Sequence, residues 1–358
     1  MWRCLCSFLV VVALYSQGIS PEQRRVLDLV DSGRHADARE EIRRLLPQAA
    51  GPDSRSGLLG LLGAVENYLG HFEAARAALE EGIPLCEQLQ PPAWEGQVSM
   101  LVSLAEAQTG LHLLPEAYQT LRRALSLSES RLGPDHLRTA GVLDGLGVWY
   151  VAQGNWSRAE ASVRRALALL EKGLGPDDRS VASETSALVF ILIATGRNDE
   201  ALTLAGRNAK TFARVLGPIH PDTLQARWLE ARLLVKTAPA QAEKILREVM
   251  AAWSASQPEL HPSYLGMLGT LSQSREAQRD LREAVALSQR ALDLGREVLG
   301  PEHLNVVLSM YQHARLLQAA RRGKEATKLR KQADQLRTRH RYPLPGQHTV
   351  DIWTLRGR

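Results

Sequence analysis

The stretch that decides the fold runs from Thr139 to Gly175 and reads TAGVLDGLGVWYVAQGNWSRAEASVRRALALLEKGLG. Apolar side chains recur every three or four residues in both of its halves, which is the spacing of one face of an α-helix. Gly154 and Asn155 interrupt the pattern between the halves, as the residues of a short loop do. The stretch therefore predicts a hairpin of two α-helices.

The same plan recurs along most of the chain. The string LGPD at Leu132–Asp135 returns at Leu174–Asp177, and related strings are LGPIHPD at Leu216–Asp222 and LGPEH at Leu299–His303. Because a single hairpin cannot bury its own apolar faces, a period of this kind is typical of stacked helical repeats that share one core. The marker prolines, which lie 40 to 43 residues apart, are Pro52, Pro92, Pro134, Pro176, Pro218, Pro258 and Pro301.

Composition agrees with a helical chain. Of the 358 residues, 44% are hydrophobic, 23% are charged and only 5% are aromatic, and the abundant Ala, Leu, Arg and Glu favour helices over strands. Three cysteines are too few for a disulfide framework. We predict an all-α solenoid of about eight helical hairpins, over residues 21–50, 51–90, 91–132, 133–174, 175–216, 217–256, 257–299 and 300–341.

Each period also predicts its own turns and helix crossings. Gly133 and Gly175 stand where a helix ends in a left-handed residue, and Asp135, Asp177 and Asp222 stand where a side chain caps the next helix. Small residues are expected where two helices approach closely. They are Gly63, Ala105, Gly147, Ala231 and Ala314 in the first helices, and Ala38, Ala75, Ala117, Ala159, Ala201, Ala242, Ala284 and Ala326 in the second.

The core motif of the central hairpin resembles the tetratricopeptide repeat (TPR) family, in its longer, kinesin-light-chain-like form. The matching residues are Leu146-Gly147, Tyr150, Gln153-Gly154, Ala159-Glu160 and Arg165-Ala166-Leu167, with the LGPxHP-like linkers beside them. The resemblance covers about residues 21–341. It implies a right-handed α–α superhelix whose concave face is built mainly from the first helix of each hairpin. In the family that face typically binds peptides or protein segments.

Both ends of the chain depart from the repeat. Residues 1–20 contain a basic residue, then a short apolar run and then small and polar residues. This order predicts a secretory signal peptide, and therefore an exported protein that is periplasmic or secreted. The alternative is an uncleaved N-terminal segment that anchors the protein to a membrane. Residues 342–358 form a tail in which Ile352 and Trp353 are expected to fold back onto the last hairpin.

Motifs of catalysis and metal binding give no alternative function. The sequence contains no Walker, HExxH, GxSxG or CxxC motif, and Gly141, Gly145 and Gly147 lie inside a predicted helix rather than in a phosphate loop. We predict no enzyme activity, no cofactor and no metal. Glu106 and Asp144 could share a groove but show no substrate cleft, and Cys86 is expected to be a buried hydrophobic residue. We interpret four histidines in the turns as residues that pack in the turn or cap the next helix. They are His136, His220, His261 and His303.

A basic segment closes the repeat region. Residues 321–341 contain nine Lys or Arg residues against Glu325 and Asp334. One interpretation is a surface for nucleic acid or an anionic membrane. The favoured one is a solvated terminal helix that caps the last hairpin, as repeat proteins require.

The predicted function is a non-catalytic scaffold that binds a segment of another protein on the concave face. The alternative is a membrane-tethered assembly or regulatory subunit, and an enzyme or small-ligand binder would need a closed pocket. We expect no nucleic acid partner and no membrane insertion of the mature chain. The residues predicted to line the groove are Glu106, Asp144, Val148, Ser186, Phe190, Trp228, Arg232, Gln273, Tyr311 and Arg315.

Overall fold

The fold was analysed in a computed structural model, which describes residues 21–256 and 262–340. This part of the chain forms sixteen α-helices, and a short 3-10 turn follows the second of them. The first eight helices are α1 (Pro21–Asp31), α2 (His35–Leu45), α3 (Pro52–Leu69), α4 (Phe72–Gln88), α5 (Trp94–Gly110), α6 (Leu114–Arg131), α7 (Leu137–Ala152) and α8 (Trp156–Leu174). The others are α9 (Arg179–Ala194), α10 (Asn198–Leu216), α11 (Pro221–Leu234), α12 (Pro239–Ser256), α13 (Pro262–Ala277), α14 (Leu281–Leu299), α15 (Leu304–Ala319) and α16 (Gly323–His340).

The helices pack as sequential antiparallel pairs, which confirms the predicted all-α fold of about eight hairpins. In each pair the odd-numbered member is the first helix and the even-numbered member is the second. The chain divides into two units, of which the first ends at Ile191 and the second begins at Leu192, inside α9. Each unit has its own buried apolar clusters, because every hairpin contributes apolar faces that only a neighbouring hairpin covers.

Glycines form the turns that link one hairpin to the next. Gly133 and Gly175 have φ angles of 103° and 85°, and Gly217 and Gly300 adopt 91° and 85° at the corresponding places. Only glycine takes up this left-handed conformation without strain. The predicted left-handed ends of the second helices are therefore confirmed.

Histidine, rather than aspartate, caps the helix that follows three of these turns. The Nδ1 atoms of His136, His220 and His303 accept hydrogen bonds at 3.1–3.2 Å from backbone N–H groups two residues later. The prediction that Asp135 and Asp222 cap these helices is wrong, because each aspartate lies one or two residues away from the capping position. The capping role predicted for the turn histidines is confirmed for these three, and His261 lies outside the described residues.

Small side chains occupy the crossings inside each hairpin, as predicted. Ala159 and its seven counterparts in the other second helices are all buried. Gly63 has no room for even a methyl group, because a Cβ there would lie 2.4 Å from Cγ of Leu79. Close approach of α3 and α4 therefore depends on the glycine at this point.

Residues 1–20, 257–261 and 341–358 are outside the described residues. They include the predicted signal peptide at residues 1–20 and the tail at 342–358, so both interpretations stay predictions. None of the described helices combines the length and the apolar character that crossing a bilayer requires.

Candidate partner-binding surface

First helices of neighbouring hairpins contact each other as well as their own partners. In the first unit α3 packs on α5 and α5 packs on α7, and in the second unit α11 packs on α13. Within each unit, side chains on these helices are thus either buried between hairpins or left on the face that its first helices share. The predicted binding residues fall into both groups.

In the first unit most of the predicted binding residues are withdrawn from solvent. Asp144 is fully buried, while Val148 and Phe190 are 6% and 8% exposed. Phe190 lies near Trp156, with ring centroids 6.3 Å apart. Glu106 and Ser186 are half-buried. This part of the first-helix face therefore offers a partner little side-chain surface among the five predicted positions.

Asp144 of α7 forms a buried pair with Glu184 of α9. Both side chains are 0% exposed, and neither oxygen of Glu184 meets an N–H or hydroxyl donor among the residues that the structure describes. Burial, together with the negative charge of Asp144, raises the pKa of Glu184 well above its usual value. The raised pKa favours the protonated form of Glu184, which is the form whose O–H can donate to Asp144. Because no surface of the pair is exposed, it has no access to a substrate.

In the second unit the first helices are connected by polar contacts. The indole N–H of Trp228 on α11 donates to the hydroxyl of Thr270 on α13 over 2.9 Å. The Trp228 ring lies against Gly266, where a Cβ would come within 2.4 Å of it. Gly266 therefore makes the space in which Trp228 is held, half-buried and in one orientation.

The next hairpin continues this set of contacts. The amide of Gln312 on α15 donates to the carbonyl oxygen of Gly269 on α13 at 3.3 Å. Arg315 binds the carboxylate of Glu276 through two hydrogen bonds, one of them 2.6 Å long. Tyr311 turns to the second helix of its own hairpin, where its hydroxyl donates to Asp334 over 2.7 Å.

Two of the predicted binding residues have no partner of their own. Arg232 and Gln273 are exposed, and neither makes a hydrogen bond or an ion pair within residues 21–256 and 262–340. Protein atoms around the Arg232 guanidinium remove part of its hydration, and this desolvation lowers its pKa. An unpaired guanidinium beside a fixed indole has the chemistry to hold a carboxylate. We call Trp228, Arg232 and Gln273 the open patch.

Sequence reasoning missed several residues that organise these helices. Thr270 and Gln312 follow Trp228 at successive steps of 42 residues, so the period itself could have found them. Glu276 and Glu184 do not follow that step from any predicted residue. Among the described residues, no three histidine, cysteine or carboxylate side chains are grouped as a metal site requires.

The matches to known protein-family models agree with the helical repeat described above. Models described as tetratricopeptide repeat match residues 97–172, and also 185–222 and 265–305. The chain is a tetratricopeptide repeat protein. TPR domains typically bind protein partners and are usually non-catalytic, and neither matching model describes a catalytic family. No curated protein sequence matches this TPR protein.

Solved structures share its fold at low sequence identity. A signal transduction ATPase with a TPR sensor from Pyrococcus horikoshii is 14% identical, with a TM-score of 0.64 over 85% of this chain and 45% of that one. A Rap protein complexed with competence and sporulation factor is 12% identical, with a TM-score of 0.56 over 86% and 75%. Kinesin light chain TPR-like repeats from Podosopora anserina are 24% identical, with a TM-score of 0.47 over 59% and 99%. The likenesses to the ATPase and to the Rap protein concern the fold alone.

Proposed function

We propose that this TPR protein is a non-catalytic scaffold that binds an extended segment of another protein on the first-helix face of its second unit. The observation that carries the proposal is the open patch. There Arg232 and Gln273 are exposed without partners, whereas Arg315 on the same face is already bound to Glu276.

The chemistry of the open patch favours a segment with an acidic side chain. Arg232 can bind a carboxylate through two parallel N–H groups, and Gln273 can both donate to and accept from a peptide backbone. The exposed part of the Trp228 ring offers an apolar contact, and its buried hydrogen bond to Thr270 keeps it oriented. Ordering the exposed side chains of Arg232 and Gln273 on binding costs about 0.5–1.5 kcal/mol each, which these contacts must exceed.

A displayed library of random linear peptides tests the proposal without a known partner. We expect peptides selected on the wild-type protein to be enriched in Asp or Glu. Loss of a charge-assisted hydrogen bond costs about 1.5–3 kcal/mol, so Arg232→Ala should weaken binding of the selected peptides by about 10- to 150-fold.

The control is Arg282→Ala, because Arg282 is an exposed arginine on the second helix α14 that makes no ion pair with the residues that the structure describes. It removes the same charge from the other side of the hairpin and should leave peptide binding unchanged. Equal binding by the wild-type protein and the Arg232→Ala variant, or equal loss in both variants, would refute the assignment of the binding face.

We also propose that the protein acts after export, on the basis of residues 1–20 alone. Mass spectrometry of the mature N-terminus distinguishes this from the membrane-tethered alternative. A first residue near Ile19 or Pro21 supports export with cleavage, whereas an intact Met1 would favour the anchored form.

A further inference from the structure

The excess positive charge of the protein is concentrated in one short segment. Residues 321–331 contain six Lys or Arg residues and one carboxylate, a net charge of +5 that equals the net charge of the whole chain. The remaining residues are therefore neutral in sum. Several of their arginines bind carboxylates of a neighbouring hairpin, as Arg123 does with Glu87 and Arg165 does with Glu129.

The cations of this segment do not form such pairs. Its single carboxylate, Glu325, is bound by Arg322. Five other cations are exposed and make no ion pair within the part of the chain that the structure describes; they are Arg321, Lys324, Lys328, Arg330 and Lys331. Three of these, Lys324, Lys328 and Lys331, recur at helical spacing and so share one face of α16, over about 10 Å. We call these three residues the lysine stripe.

The structure of α16 does not need these charges. Ala326 and Ala333 are buried on the side that packs against the preceding helices, so the cap of the last hairpin is made by a different face. Lys324 lies in the first turn of α16, where the helix dipole disfavours a positive charge. Neither packing nor helix stability therefore accounts for the lysine stripe.

The type of cation indicates the kind of partner. The chain has seven lysines against thirty-seven arginines, and three of the seven form the lysine stripe. Arginine has the planar fork that matches one carboxylate, whereas lysine is a mobile point charge that suits a diffuse anionic field. Clusters of four to eight Lys or Arg residues on a helix are typical of contacts with anionic lipid.

We propose that the solvent-facing side of α16 docks on an anionic phospholipid surface. Contact is electrostatic and peripheral, because Leu329 and the buried alanines of α16 are held in the protein core and no apolar side chain is available to enter the bilayer from this face. Nucleic acid fits less well, since residues 321–331 contain no aromatic side chain on which bases could stack.

Co-sedimentation with vesicles tests the proposal. We expect the full chain to bind vesicles of equal phosphatidylglycerol and phosphatidylcholine in 50 mM salt, but neither pure phosphatidylcholine nor the mixed vesicles in 500 mM salt. Each lysine near an anionic surface contributes about 1 kcal/mol, or about fivefold in affinity. The triple variant Lys324→Gln, Lys328→Gln, Lys331→Gln should therefore partition about 100-fold less.

The chain supplies a control with the same change in charge. Lys210, Lys236 and Lys244 are exposed lysines elsewhere in the second unit, and replacing all three with Gln should leave vesicle binding within a few-fold of wild type. Circular dichroism should show unchanged helix content in both variants, because all six side chains are exposed.

Three results would overturn the proposal. They are failure of the wild-type protein to bind the anionic vesicles, equal binding to both lipid compositions, and equal loss of binding in the two triple variants. Fluorescence anisotropy with duplex DNA adds a fourth. Tighter binding to DNA than to vesicles, lost on removing the lysine stripe, would assign the surface to nucleic acid.

Discussion

The buried acid pair of the first unit predicts a stabilising mutation. In the folded protein the pKa of Glu184 is raised well above its usual value, because its carboxyl group is fully buried opposite Asp144. In the unfolded chain the same group ionises near its ordinary pKa of about 4.3. Glu184→Gln replaces the O–H donor with an amide N–H that can still donate to Asp144, and it removes the titration.

The sign of the effect follows from the raised pKa. The unfolded protein releases a proton that the folded protein retains, so the free energy of unfolding falls as pH rises above the ordinary carboxyl pKa and continues to fall up to the raised value. The slope is about 1.4 kcal/mol per pH unit for one proton. Above the ordinary carboxyl pKa the variant should therefore gain stability over the wild-type protein, by up to about 1.4 kcal/mol for each pH unit until the raised pKa is reached.

Urea denaturation followed by circular dichroism at pH 5, 6, 7 and 8 measures this difference. Glu66→Gln is a suitable control, because Glu66 is also a buried glutamate of a first helix, but it is paired with Arg43 at 2.9 Å and with His71 at 2.7 Å. This control weakens hydrogen bonds to a charged carboxylate, which contribute about 1.5–3 kcal/mol each, so it should lose stability. A Glu184→Gln variant with the wild-type pH dependence, or one less stable at every pH, would show that the pair carries no shared proton.

Three further predictions concern the repeat itself. His220→Ala should cost about 1 kcal/mol by removing the cap of α11, while His220→Asn should retain most of the stability, as thermal denaturation can show. Ala159→Leu should cost about 1–3 kcal/mol by overpacking a buried crossing, whereas Ala161→Leu on the exposed side of α8 should change stability by less than about 0.5 kcal/mol in the same assay. Burial raises the pKa of the Cys86 thiol to about 11. In a variant without the two N-terminal cysteines, this thiol should therefore react with Ellman's reagent at pH 8 only after urea unfolds the protein. Prompt reaction of the folded protein would contradict this prediction.

The period of the sequence was sufficient to predict the hairpins. A turn requires glycine at the end of a second helix, and a helix crossing requires alanine early in a second helix. Both requirements are local, so residue type and spacing predict them. Gly133 and Ala159 therefore have the conformation and the burial that the pattern predicts.

Contacts between hairpins that do not follow the 42-residue step were beyond the same reasoning. Glu184 lies 40 residues after Asp144, not one full period of 42, because the contact depends on how α7 and α9 approach each other. Capping by His220 in place of Asp222 is a difference of two residues, which spacing alone does not resolve.

Burial of the predicted binding residues also depends on neighbours rather than on pattern. A step of 42 residues places Val148, Phe190 and Arg232 in one row of the first helices. Val148 and Phe190 are covered whereas Arg232 is exposed. The register was therefore available from the sequence, but the share of each side chain that reaches solvent was not.

The acid pair has a consequence for how such a chain can change length by recombination. Deleting residues 133–174 would join Leu132 to Gly175 and recreate a Leu-Gly-Pro link, so the backbone would accept the loss of one whole repeat. The excised piece carries Asp144, however, and Glu184 would then be buried without the carboxylate that can accept its hydrogen bond. Gene shortening at this point thus requires a compensating substitution at position 184, although the turn on either side is interchangeable.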